Sequence, residues 1–166
     1  MSADGMQVER TRIAPFLWFN GTALDAAEFY AATFPDSRVI RVQRSPTDYP
    51  AGKAGDVLVV EFTILGSPFV ALNGGSEFRF TEAISFQVYT DSQEETDRYW
   101  DAIVGDGGQE SQCGWCKDRY GLSWQITPRA LMRALGAPDG GGRRAMTAMM
   151  GMRKIDIGAI EAAVRG

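Results

Sequence analysis

Hydrophobic and polar residues alternate most cleanly over positions 122–127. There Leu122, Trp124 and Ile126 fall on one side, and Ser123, Gln125 and Thr127 on the other. A period of two marks a half-buried strand. The stretch before it, CGWCK at 113–117, reads as a partner strand, and Asp118-Arg119-Tyr120-Gly121 as the turn between them. Gly121 suits a position with positive φ. A strand of this kind lies over a helix with its oily face and lines a polar cavity with the other. Gln125 is therefore expected to face whatever the protein binds.

The same logic carries along the chain. Residues 13–19, IAPFLWF, form an apolar strand beginning at Pro15. Thr22 and Asp25 have capping-box spacing ahead of a helix over 23–34, whose stripe is Ala23, Ala26, Ala27, Tyr30 and Phe34. Residues 38–44 are a strand. Residues 45–55, SPTDYPAGKAG, have loop composition throughout and are either disordered or a lid. Residues 56–65 and 68–73 make a hairpin around Gly66-Ser67, and 74–82 are a second loop. The pattern then restarts with a strand at 83–90, a Ser92/Glu95 capping box, and a helix over 93–104 carrying Thr96, Tyr99, Trp100 and Ile103. A short strand near 109–111 leads into the hairpin. Pro128 opens a helix that ends at Gly136, residues 139–142 link, and the rest is a Met-rich stretch followed by a helix striped with Ile157, Ile160 and Val164.

A shift of 70 places Phe29-Tyr30 on Tyr99-Trp100, Phe16 on Phe86 and Asp36 on Asp106. Each half reads strand, helix, strand, hairpin, so the expected class is α+β: two βαβββ modules plus C-terminal helices. We take 1–166 as one domain, with module one at about 12–74, module two at about 83–127, and C-terminal helices over 128–166.

Composition narrows the function. A net charge of −4 and a pI of 4.9 argue against a nucleic-acid partner. No apolar run approaches a membrane span, and MSADGMQVER has no signal-peptide core, so the expected compartment is the cytoplasm. The chain has no histidine, the commonest metal ligand and general base. Its two cysteines, Cys113 and Cys116, are spaced C-x-x-C. On a strand, residues three apart point to opposite faces, and a redox pair needs its first Cys at a helix N-terminus. Zinc would need two further ligands. We read the pair as incidental thiols.

The strings PFLWFNGTALDAAEFYAATFPDS, VEFTILGSPFVALNGG, EAISFQV and CGWCKDRYGLSWQITP resemble the PhnB-like branch of the vicinal oxygen chelate superfamily, whose members often carry the label demethylubiquinone methyltransferase-like. The resemblance spans about residues 12–165. It implies a cupped mixed sheet around a cavity, with a helix behind each half. In metal-dependent relatives four inward positions hold the ion, and these fall here within 13–16, 70–73, 83–86 and 124–127. None of these windows contains His, Asp, Glu or Cys, and Gln125 stands about where a relative places a ligating Glu. The expectation is no metal and no cofactor. The glycine clusters at 105–108 and 140–142 follow helices, so there is no strand-to-helix loop for S-adenosylmethionine.

Strand parity makes Glu61, Asn73, Ser85, Gln87, Ser123 and Gln125 the cup-facing candidates. A carboxylate among amides, such as Glu61, acts as a base if burial raises its pKa. The leading expectation is a binding module for a small organic ligand, with any catalysis metal-independent. The alternatives are a superfamily enzyme (lyase, dioxygenase or methyltransferase) and a structural homodimer with an empty cup. Open sheet edges and the Met-rich and Ile/Val stripes of the tail argue for a homodimer.

Overall fold

β-Branched and aromatic residues cluster in the segments that pair, and the computed structural model, which describes residues 12–166, builds two sheets from them. The chain divides into two compact units, Met1–Arg79 and Phe80–Gly166.

The first unit runs β1 (Phe16–Phe19), α1 (Ala23–Thr33), β2 (Arg38–Arg44), β3 (Val57–Ile64) and β4 (Ser67–Asn73). Its sheet has the order β1-β4-β3-β2, with β1 parallel to β4 and the other pairs antiparallel. Leu17, Phe19, Val60, Phe62, Ile64, Phe69 and Ala71 are buried, as are Ala23, Ala26, Ala27 and Tyr30 of α1. Tyr30 stacks on Phe62 with ring centroids 6.1 Å apart, and Phe62 on Phe69 at 5.6 Å. Each such ring removed from water contributes about 2 kcal/mol.

Thr22 occupies the cap position of α1 but makes no side-chain capping bond. The acceptor comes instead from β4, where Asn73 Oδ1 takes the N–H of Ala23 at 2.9 Å. The 45–55 segment is a folded loop rather than a disordered one. Ser45 and Gly55 pair across it, Tyr49 and Gly52 form a bridge, and Asp48 accepts from the Ala54 amide and the Lys53 ammonium.

The second unit runs β5 (Ser85–Thr90), α2 (Gln93–Gly105), β6 (Gln109–Glu110), β7 (Trp115–Lys117) and β8 (Ser123–Pro128), then α3 (Arg129–Leu135), α4 (Gly141–Met150) and α5 (Ile157–Arg165). Sheet order is β5-β8-β7-β6, again with one parallel pair, β5 and β8. Ser92 Oγ accepts from Glu95 N as expected, while the Glu95 carboxylate reaches back to Asp91 N. Asp118 organises the hairpin turn. Its buried carboxylate accepts from Tyr120 N, Leu122 N and Trp124 Nε1, all within 3.0 Å.

Two sequence expectations need correction here. Cys113 is not on a strand: it sits in the turn before β7 with φ 59°, and only Cys116 is in the sheet. The repeat is 70 for the helices but not for the first strands. Leu17 and Phe19 face α1, and Val88 and Thr90 are their buried counterparts, 71 positions on; Phe16 is 60% exposed and is not the equivalent of Phe86.

The tail helices pack on one another around Leu131, Ala134, Ala145, Ile155 and Ile160. Backbone amides of Cys113 and Gly114 donate to Met152 O and Arg153 O at 2.8 and 2.7 Å. Among the described residues no helix is long and apolar enough to cross a membrane.

Candidate functional site

The parallel register sets Ser85 beside Ser123 and Gln87 beside Gln125. Because paired residues project to one side, these four predicted side chains share the face of the second sheet opposite Val88 and Ile126. They are joined in two short chains. Gln125 Nε2 donates to Ser85 Oγ at 2.9 Å. Tyr89 OH donates to Gln87 Oε1 at 3.0 Å, and Gln87 Nε2 to Thr127 Oγ1 at 3.1 Å. Ser123 Oγ is buried and, among the described residues, has no hydrogen-bond partner. Lys117, opposite Ser123 on β7, is ion-paired with Glu82.

The two predicted residues of the first unit behave differently. Glu61 shares a face with Val70 and Phe16, and its carboxylate is ion-paired with Arg41 on β2. It is thus engaged with a cation rather than held as a lone carboxylate among amides. Asn73 faces α1: its Oδ1 caps the helix and its Nδ2 donates to Val57 O at 2.9 Å. Both ends of that amide are committed to structure.

A cavity of about 610 Å³ lies at the end of the first sheet. Trp18, Leu58 and Leu72 supply its sheet wall; Tyr49, Pro50 and Ala51 come from the folded loop; Gly74, Gly75 and Glu77 come from the segment after β4. Gly74 is required there, because a Cβ would overlap the Trp18 indole. The indole Nε1 donates to Gly75 O at 2.8 Å, and Phe78 meets the ring edge-on at 4.9 Å. The ring is therefore fixed as a wall before anything binds. Asn20, Tyr49 and Glu77 bring an amide, a phenol and a carboxylate to the lining.

Sequence reasoning missed Trp18, Tyr49 and Glu77. The available signal was parity: with Leu17 and Phe19 inward, Trp18 must face the other way, just where Gly74-Gly75 breaks the strand beside it.

These donors do not fit the divalent ion held by metal-dependent relatives. The outward positions of β1 and β4 are Phe16, Trp18, Val70 and Leu72, and those of β5 and β8 are Ser85, Gln87, Ser123 and Gln125. Neutral hydroxyls and amides do not repay dehydration of such an ion. Among the described residues no three of His, Cys, Asp and Glu come together. A Cβ at Gly142 would strike Leu135 O, and one at Gly108 the carbonyls of Ile103 and Lys117, so these glycines serve close packing within the chain. The Cys116 thiol is equally unsuited to redox work, since burial first and the Asp118 charge second push its pKa up to about 12.

Two mixed sheets, each built from a βαβββ module behind one long helix, define the vicinal oxygen chelate fold. A family model described as 3-demethylubiquinone-9 3-methyltransferase matches residues 11–127. The chain belongs to that family, the PhnB-like branch of the superfamily. The PhnB protein of Bacillus cereus is 31% identical, covers 71% of this chain and 99% of its own, and superposes with a TM-score of 0.64. A Pseudomonas aeruginosa protein at 18% identity covers 71% of this chain and 97% of its own with a TM-score of 0.59. A variant of the fosfomycin resistance protein FosX of Listeria monocytogenes, bound to Mn(II) and a dihydroxypropylphosphonic acid, is 15% identical over 71% of this chain and 91% of its own, TM-score 0.50. These last two likenesses concern the fold alone. A search of curated proteins finds no match.

Proposed function

We propose that this protein binds a small organic molecule without the metal ion of its metal-dependent relatives. The observation that carries the reading is the cavity at the end of the first sheet. Its volume of about 610 Å³ is that of a small-molecule site, with mostly apolar walls and a few polar groups. Leu72→Trp would fill it from a position on the strand, away from the helix-facing core. Native mass spectrometry of protein purified without a tag should find a carried molecule in the unaltered protein and none in the variant. Equal carriage by both would refute the assignment of the cavity.

A second binding surface is supported by Ser123, whose buried hydroxyl has no partner among the described residues beside the Ser85–Gln125 pair. Buried polar atoms are normally satisfied, by water or ligand where protein does not serve. Ser85, Gln87, Ser123 and Gln125 are the residues we assign to that surface.

We further propose a homodimer. Met132, Met146 and Met150 are 46%, 44% and 57% exposed on α3 and α4, an apolar surface of adaptable side chains. Light scattering should give a dimeric mass that falls toward monomer on the double change Met146→Glu and Met150→Glu. A monomeric mass for the unaltered protein would rule the dimer out.

A further inference from the structure

The polar groups of the cavity are unequal in charge, and this points to the chemistry of its occupant. Its lining contains one ionisable acid, Glu77, and no lysine or arginine. Glu77 is exposed and, like Glu28 and Glu161, makes no hydrogen bond or ion pair among the described residues, so no cation of the chain neutralises it. The Asn20 amide and the Tyr49 hydroxyl on the same lining also lack partners among the described residues. The nearest lysine along the loop, Lys53, is held by Asp48 at 2.9 Å and is not in the lining.

An anion entering this space would lose water and gain no positive charge. A cation would gain the Glu77 carboxylate and the aromatic rings of Trp18 and Tyr49. The fixed indole makes that gain larger, because the ring need not be ordered on binding. We infer that the cavity takes an organic cation, an amine carried on an apolar or aromatic body, and discriminates against the corresponding carboxylate. The inference rests on the cavity reading above and adds the charge of the ligand to it.

Three probes of one shape separate the possibilities: 2-phenylethylamine, 2-phenylethanol and 3-phenylpropionate. Affinities are read by ligand-observed NMR against the full-length protein, with Leu72→Trp as the blocked control. One carboxylate contact and one ring contact, each of modest strength, together give an expected preference of about tenfold for the amine over the carboxylate. The alcohol should fall between. Glu77→Gln should bring the amine and the alcohol to within about threefold of each other. Equal binding of all three probes, or a preference that survives Glu77→Gln, would overturn the charge inference and leave the cavity standing as a neutral site. Binding of none, or binding that Leu72→Trp leaves intact, would overturn both.

Discussion

Asn73 of β4 holds the first turn of α1, its Oδ1 accepting from Ala23 N at 2.9 Å while its Nδ2 donates to Val57 O at 2.9 Å. A single buried amide thus ties a helix start to the ends of two strands. Asn73→Ala would orphan a helix N–H and a strand carbonyl together. The expected loss is about 2 kcal/mol in urea unfolding, whereas Thr22→Ala should cost a few tenths, since Thr22 makes no capping bond. Equal effects at the two positions would contradict the assignment.

Asp118 plays the corresponding role in the second unit. Asp118→Asn keeps one carbonyl oxygen for the amides of Tyr120 and Leu122 but turns an NH₂ toward Trp124 Nε1, donor against donor. Stability should fall by about 2 kcal/mol. Near-ultraviolet circular dichroism should weaken as the Trp124 ring loosens.

The two thiols should separate cleanly. Cys116 is 1% exposed, so a thiol reagent should label one cysteine in the native protein and the second only on unfolding. The raised pKa also fixes the sign of an alkaline effect. Above pH 9.0 the unfolded thiol ionises while the folded one keeps its proton until about 12. Stability is therefore fully present below pH 9.0 and falls as pH rises through that window, by up to about 1.4 kcal/mol per pH unit. Tyrosines and lysines titrate there as well, so the measurement is the difference in slope between the protein and Cys116→Ala. A variant as steep as the parent would remove Cys116 as the cause.

Gly74→Ala tests the fixed wall of the cavity. The added methyl must push the Trp18 ring off Gly75 O. The indole N–H resonance of Trp18, assigned with Trp18→Phe, should lose its hydrogen-bonded shift. Overpacking should cost about 1–3 kcal/mol. An unmoved resonance would mean that the ring is not held there.

The architecture was legible because it rests on periodicity. Alternation over 122–127, the Tyr99/Trp100 stripe and the repeat each report a local geometry that burial then preserves. The errors lie where one element supplies a partner to another far along the chain. Thr22 and Asp25 have capping spacing, yet a residue 50 positions away caps the helix. Asn73 continues the helix-facing side of β4 with Phe69 and Ala71, where its amide meets α1, and it also lines the cavity. Cys113 looked like a strand residue because nothing local announces that the tail draws its amide out of the sheet. The cavity escaped notice because its walls come from three separate segments, and its most telling residue, Gly74, matters through a side chain it lacks.

Residues 152–157 fasten the tail to the second sheet and α2. Cys113 and Gly114 lend two amides, Lys154 reaches Asp97 and Asp101, Arg153 reaches Glu110, and Gln93 uses its amide on both Ile155 O and Ile157 N. Only Gly114, where a Cβ would meet Ile126 O at 2.9 Å and Ile155 at 3.1 Å, had to stay bare for the segment to seat. The family match ends at residue 127, ahead of all three tail helices. A related chain that is to carry this tail would therefore need glutamine and glycine at these two places, and acids to meet Arg153 and Lys154.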